Sequence, residues 1–117
     1  HEGDDQAALI NLEIMTENHP HFDALIALDP ISVSSSILFW KAKGLKQHLL
    51  AFGLTKEVRQ AVENGQITYV VSQGEYRWGG LIVDVLLQLQ KGEKVDKSID
   101  TGNTIYDRED RLAWIPF

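Results

Sequence analysis

Apolar residues and chain breakers alternate regularly over the first two thirds of the chain. Ala8, Leu12 and Met15 recur at i, i+4 and i+7, the spacing of one helix face, and Asp4 or Asp5 stands where a cap belongs. The helix they predict stops before Asn18-His19-Pro20, because proline cannot continue it. Asp23-Ala24-Leu25-Ile26-Ala27-Leu28 is then a short apolar run between turn residues, which reads as a buried strand. Asp29-Pro30 opens a second helix, with Asp as cap and Pro at the first helical position. Val33, Ile37 and Trp40 line its inner face, and Gly44 fits the position just past its end. Leu49-Leu50-Ala51-Phe52 reads as a second buried strand. Thr55 and Gly65 bracket a third helix with Val58, Ala61 and Val62 inward. Ile67-Thr68-Tyr69-Val70-Val71, apolar and β-branched, is the third strand.

Strands that alternate with short helices predict βα units and an α/β fold with a mainly parallel sheet. The last third differs. Trp78-Gly79-Gly80 leads into Leu81–Leu89, where seven of nine residues are apolar. A helix that apolar must be covered on more than one side. Lys91-Gly92-Glu93-Lys94 ends it, Asp100-Thr101-Gly102 is a turn, and Asn103-Thr104-Ile105-Tyr106 is a last strand. The apolar tail Leu112-Ala113-Trp114-Ile115-Pro116-Phe117 reads as a docking segment, and the chain has no internal repeat.

The 117 residues suffice for one small domain and are too few for two. Seventeen acidic residues against eleven basic ones leave a net charge of −6, which argues against nucleic acid and anionic membranes as partners. No cysteine is present, so disulfides and zinc-thiolate sites are excluded. No apolar stretch approaches the roughly 20 residues of a membrane span. His1-Glu2-Gly3 reads as the cut end of something longer, or as the remnant of a tag.

Several of these pieces, in this order, resemble the type I periplasmic binding proteins of the ribose-binding kind. The helix-ending turn Asn18-His19-Pro20-His21 and the strand end Ala27-Leu28-Asp29-Pro30 are similar to that family's. So are Gly44 followed by Leu49–Thr55, the turn Glu63–Ile67, the strand end Val71-Ser72-Gln73 and the helix start Tyr76-Arg77-Trp78-Gly79. Lys91–Val95 and Ile99–Gly102 match the segment near the family's C-terminus, so the resemblance covers about residues 4–106. It implies a partial Rossmann-like lobe of a receptor in which two α/β lobes close on ligand at the carboxyl ends of strands. Residues 1–73 would be part of the C-terminal lobe, 74–98 a helix crossing to the other lobe, and 99–117 the final strand and tail. The N-terminal segment and the first strands of the second lobe would then lie outside this chain. That would explain the apolar circumference of the 81–89 helix, either covered by the missing lobe or self-associating.

The resemblance also implies the site. Asp29 falls where the family places a polar residue that bonds ligand hydroxyls, while the plain reading of Asp29 is a cap for the helix at Pro30. Gln73 matches the family's hinge glutamine; otherwise it is a turn former. Gly53 falls where the family has a strand-ending Asp, and Gly3 where it often has a stacking aromatic, two departures that set sugar specificity in question. Tyr76 and Trp78 either border the cleft or belong to the core. Trp40 and Trp114 read as packing, and Glu57, Glu63, Glu75 and Asp84 as solvated faces. His19 and His21 lack a third metal ligand, and Ser34-Ser35-Ser36 lacks a His-Asp pair to activate a nucleophile.

No catalytic constellation, phosphate loop, metal or cofactor site is expected. The function implied is a non-enzymatic, extracytoplasmic receptor for a sugar or similar small polar ligand, partnered by a membrane permease or a sensor kinase. The alternatives are the effector-binding domain of a repressor related to the lactose repressor, an enzyme on another α/β scaffold, and an interaction module that has lost its ligand.

Overall fold

The three helices that flank the sheet start on side-chain caps that the sequence marks. In the computed structural model, which describes residues 1–110, Asp4 Oδ1 accepts from the Ala7 N–H at 2.8 Å and starts α1 (Asp5–Asn18). Asp29 Oδ1 accepts from the Ile31 and Ser32 N–H groups, each at 3.0 Å, and Ser32 Oγ accepts from the Asp29 N–H at 3.2 Å. That reciprocal box starts α2 (Pro30–Lys43). Thr55 Oγ1 accepts from the Val58 N–H at 3.2 Å and starts α3 (Lys56–Glu63). Each such cap is worth about 1 kcal/mol.

Between the helices run β1 (Ala24–Ala27), β2 (His48–Phe52) and β3 (Tyr69–Ser72). A 3-10 turn (Glu75–Arg77), α4 (Trp78–Gln90) and β4 (Thr104–Tyr106) follow. The sheet order is β1-β2-β3-β4, the first three strands parallel and β4 antiparallel to β3. The connections β1–α2–β2 and β2–α3–β3 therefore step across the sheet in the same direction. Crossovers of one hand that step the same way put their helices on the same face. The register shows which side chains meet them. Ala27 pairs with Ala51 and Ala51 with Val70, and all three are buried against Val33, Ile37, Val58 and Val62. Leu49, Val62 and Val70 have no exposed surface at all. The three predicted inner positions of α2 and the three of α3 are buried as expected. Trp40 packs edge-on to Phe22 and donates from Nε1 to the Gln47 carbonyl at 3.0 Å.

The opposite face is only partly covered among the described residues, with Leu50, Phe52 and Val71 half-buried. Ile26, Leu50, Phe52, Tyr69, Val71 and Ile105 share it, and Ile26 is 58% and Ile105 63% exposed. The expectation of a buried first strand is thus corrected: β1 lies at the sheet edge, and no helix among the described residues covers its outward side. Met15, expected on the inner face of α1, is exposed as well, because that helix lies against α2 and buries only Ala8 and Leu12. α4 has no buried residue and makes its main contact with the 3-10 turn that precedes it. The tail with Trp114 lies outside the described residues.

These two faces differ in what a truncation costs. Leu49→Ala is expected to lower stability by about 2–5 kcal/mol, the range for a buried leucine. Ile26→Ser should stay within about 0.5 kcal/mol. Urea unfolding of the two variants checks the difference, and equal losses would contradict the one-sided core.

Candidate functional site

Three parallel neighbours that end at the same level bring their last residues to one rim. Asp29 is the second residue after β1, Gly53 follows β2 directly, and Gln73 follows β3 directly. The Gly53 N–H donates to the Val71 carbonyl at 2.9 Å, so the end of β2 is held against β3. In open parallel sheets the carboxyl ends are where ligands sit, because loops there converge and helix N-termini point at them. The structure brings Asp29, Gly53 and Gln73 to this edge. Tyr76 stands one turn farther, in the 3-10 turn.

Each position has its own local cause. Both carboxylate oxygens of Asp29 are engaged. Besides the two backbone donors on Oδ1, Oδ2 accepts from Ser32 Oγ at 2.8 Å and lies 3.0 Å from His1 Nε2. The Ser32 N–H holds the Asp29 carboxyl below its ordinary value, opposed by partial burial and helped by the Ser32 hydroxyl, the Ile31 N–H and the amino-terminal charge. Asp29 is therefore an ionised cap. Gly53 sits at φ +90°, a left-handed conformation that side chains strain to adopt. Gln73 is exposed and donates its N–H to Glu75 Oε2 at 2.7 Å.

Tyr76 and Trp78 are 41% and 43% exposed, so the core reading of these aromatics is corrected. They lie where the chain leaves the sheet, and the Arg77 guanidinium stands 5.7 Å from the Tyr76 ring centroid.

Glu75, expected on a solvated face, is partly buried at the centre of this corner. Its Oε1 accepts from the Leu54 N–H, while Oε2 accepts from Ser72 Oγ at 2.9 Å and from the Gln73 N–H. Burial pushes its carboxyl up, but the Leu54 N–H, its own N–H, the Ser72 hydroxyl and the Gln73 N–H together outweigh that, and the pKa falls below the ordinary glutamate value. A polar knot ties the outgoing and returning chain beside it. Thr101 Oγ1 donates to the Gln73 carbonyl at 2.7 Å, Arg77 Nη2 to the Thr101 carbonyl at 2.5 Å, and Trp78 Nε1 to Thr101 Oγ1 at 3.4 Å. Gly74 suits this place: its φ is +71°, and a Cβ would stand 3.0 Å from Arg77 Nη2 and 3.1 Å from the Thr101 carbonyl oxygen, so both would have to give way. Sequence reasoning missed Glu75, Arg77 and Thr101. The only available signal was a charged residue three places after a buried strand end, beside a glycine.

Two grooves lie away from the rim. One of about 520 Å³ runs along the amino ends of β2 and β3 past Gln47, His48, Thr68 and Arg108. The other, about 430 Å³ and largely apolar, lies between α4 and Ile99–Thr101. Among the described residues, no three His, Asp or Glu side chains are grouped to hold a metal ion.

The fold defined by this sheet and rim is that of one lobe of the sugar-binding solute-binding proteins of ABC transporters. No family model and no curated protein sequence matches the chain; the likeness is to solved structures. One is a carbohydrate-transporter solute-binding protein from Agrobacterium radiobacter in complex with D-arabinose. It is 22% identical with a TM-score of 0.81 over 92% of this chain and 37% of that one. A second is an ABC-transporter solute-binding protein from Agrobacterium vitis with bound D-fucose, 24% identical, TM-score 0.81, over 92% of this chain and 38% of that one. A third is a glucose-galactose-binding protein from Geobacillus stearothermophilus, 16% identical, TM-score 0.78, over 94% of this chain and 40% of that one. The chain thus spans about two fifths of the length of these proteins.

The Glu75 pKa sets a pH dependence. Its value is depressed in the folded state, so the unfolded chain takes up the proton first as pH falls. The stability it contributes is fully present above the ordinary glutamate value and is lost as pH drops through the depressed one. Glu75→Gln should therefore be less stable than the parent near pH 7, with the gap closing in acid. Urea midpoints measured from pH 7 down to pH 3 check this, and a gap that is constant with pH would contradict it.

Proposed function

We propose that the chain is part of the C-terminal lobe of a non-enzymatic, extracytoplasmic solute receptor for a sugar or a similar small polyhydroxy ligand. Its membrane partner would be an ABC-type permease or a sensor kinase that reads lobe closure. One observation carries this reading: three adjacent parallel strands deliver Asp29, Gly53 and Gln73 to one edge, on a fold shared with proteins crystallised with D-arabinose and D-fucose. In this reading Gln73 offers its exposed amide to ligand hydroxyls. Gly53 leaves room at the centre of the rim, Tyr76 borders the opening, and Asp29 holds α2 in place beside it.

Residues 1–73 form part of the lobe in this proposal, 74–98 cross to an opposing lobe supplied by polypeptide outside these residues, and 99–117 return as the final strand and tail. The exposed apolar surface of α4 supports that division, since Ile82, Leu86 and Leu89 are each more than half exposed.

A melting-temperature screen of the native-length protein against D-arabinose, D-fucose, D-galactose and D-glucose tests the reading. At least one sugar is expected to raise the midpoint, and Gln73→Ala to weaken that sugar by about tenfold, the loss of one hydrogen bond worth about 1.4 kcal/mol. No shift with any of them would sink it.

The 117 residues by themselves should self-associate through α4. Sedimentation velocity checks this, with Leu86→Glu expected to restore monomer; a monomeric parent at high concentration would contradict it.

A further inference from the structure

One carboxylate reaches both strand ends that flank the open centre of the rim. Glu75 Oε1 takes the N–H of Leu54, the second residue after β2, and Oε2 takes the Ser72 hydroxyl and the N–H of Gln73, the first residue after β3. The two oxygens of one side chain therefore set the spacing between two separate loops. Glu75 is itself held in the turn that opens the crossing, whose exit and return are pinned by Thr101. A Cβ built on Gly53 would lie 3.9 Å from Glu75 Oε1, so the space left by the missing side chain is faced by this carboxylate. An alcohol or a primary amide could not replace it: only a carboxylate offers two acceptor oxygens and no competing donor.

We propose that Glu75 is a positioning residue of the rim, a two-sided clamp that fixes Gln73 and the Gly53-Leu54 loop relative to one another before ligand arrives. The inference rests on the receptor reading for its functional consequence and on the hydrogen bonds alone for the clamp. Preorganising the groups that meet a ligand removes an ordering cost from binding. Loosening the clamp should thus weaken affinity without touching the contacts themselves.

Residue-resolved amide hydrogen exchange on the 117-residue chain separates the clamp from general stability. Glu75→Ala should speed exchange at Leu54 and Gln73 by about tenfold or more, the equivalent of about 1.4 kcal/mol of local opening. Amides of β1 and α1 should change much less. Glu75→Gln has a single acceptor oxygen, so it should retain protection at Leu54 or at Gln73 but not at both. Protection kept at both sites in Glu75→Ala, or a loss shared equally with β1 and α1, overturns the clamp.

A second arm titrates D-arabinose, D-fucose and D-galactose into the native-length protein. If the parent binds, Glu75→Ala should weaken binding by about tenfold or more, and unchanged affinity overturns the positioning role. If the parent binds none of them, the receptor reading falls, and the exchange experiment still decides the clamp.

Discussion

Two crossovers that step the same way across a parallel sheet impose most of what this protein is. Because β1, β2 and β3 lie in chain order, α2 and α3 are carried to one face and the core forms there. The same ordering aligns the ends of the three strands, so residues more than forty positions apart, Asp29 and Gln73, stand on one edge. The second face keeps its apolar side chains, and no helix among the described residues lies over it. Core, rim and open face are three results of one topological rule.

What happens at the rim is governed by hydrogen-bond satisfaction more than by packing. A strand that ends leaves backbone donors with no ladder to join, and buried donors need acceptors. Asp29 meets that need after β1 by capping α2, and Glu75 meets it after β2 and β3 together. Both carboxyls are held ionised by the donors they serve. The corner around Glu75 is thereby tied to the return segment through Thr101, which gives the exit and re-entry of the chain a common anchor.

Periodicity and caps were enough to read the lobe. Val33-Ile37-Trp40 and Val58-Ala61-Val62 bury the faces their spacing predicts, since a helix has little choice about which stripe meets a sheet, whereas of Ala8-Leu12-Met15 only the first two are buried. Strand burial was legible on one side only. Ile26 and Leu50 look as hydrophobic as Leu49, and nothing in their type says whether a second layer covers them. Of the site, the strand-end positions could be located from the alternation of elements. The role of Glu75 could not, because the donors it gathers from other residues come from 54, 72 and 73, and 54 is brought near only by the β2–β3 pairing. For Tyr76 and Trp78 the choice between cleft border and core was not legible either, because their exposure depends on where the chain goes after the sheet.

The position of β1 has a consequence of its own. Among the described residues it pairs with β2 alone, and a shallow hollow of about 200 Å³ lined by Leu12, Met15, Leu25 and Ser36 lies beside it. The Ser36 hydroxyl, fully buried there, has no partner among the described residues. An edge strand with unpaired backbone groups is, in general, the place where a sheet can take up a further strand, so the open side of β1 is where this sheet can be extended.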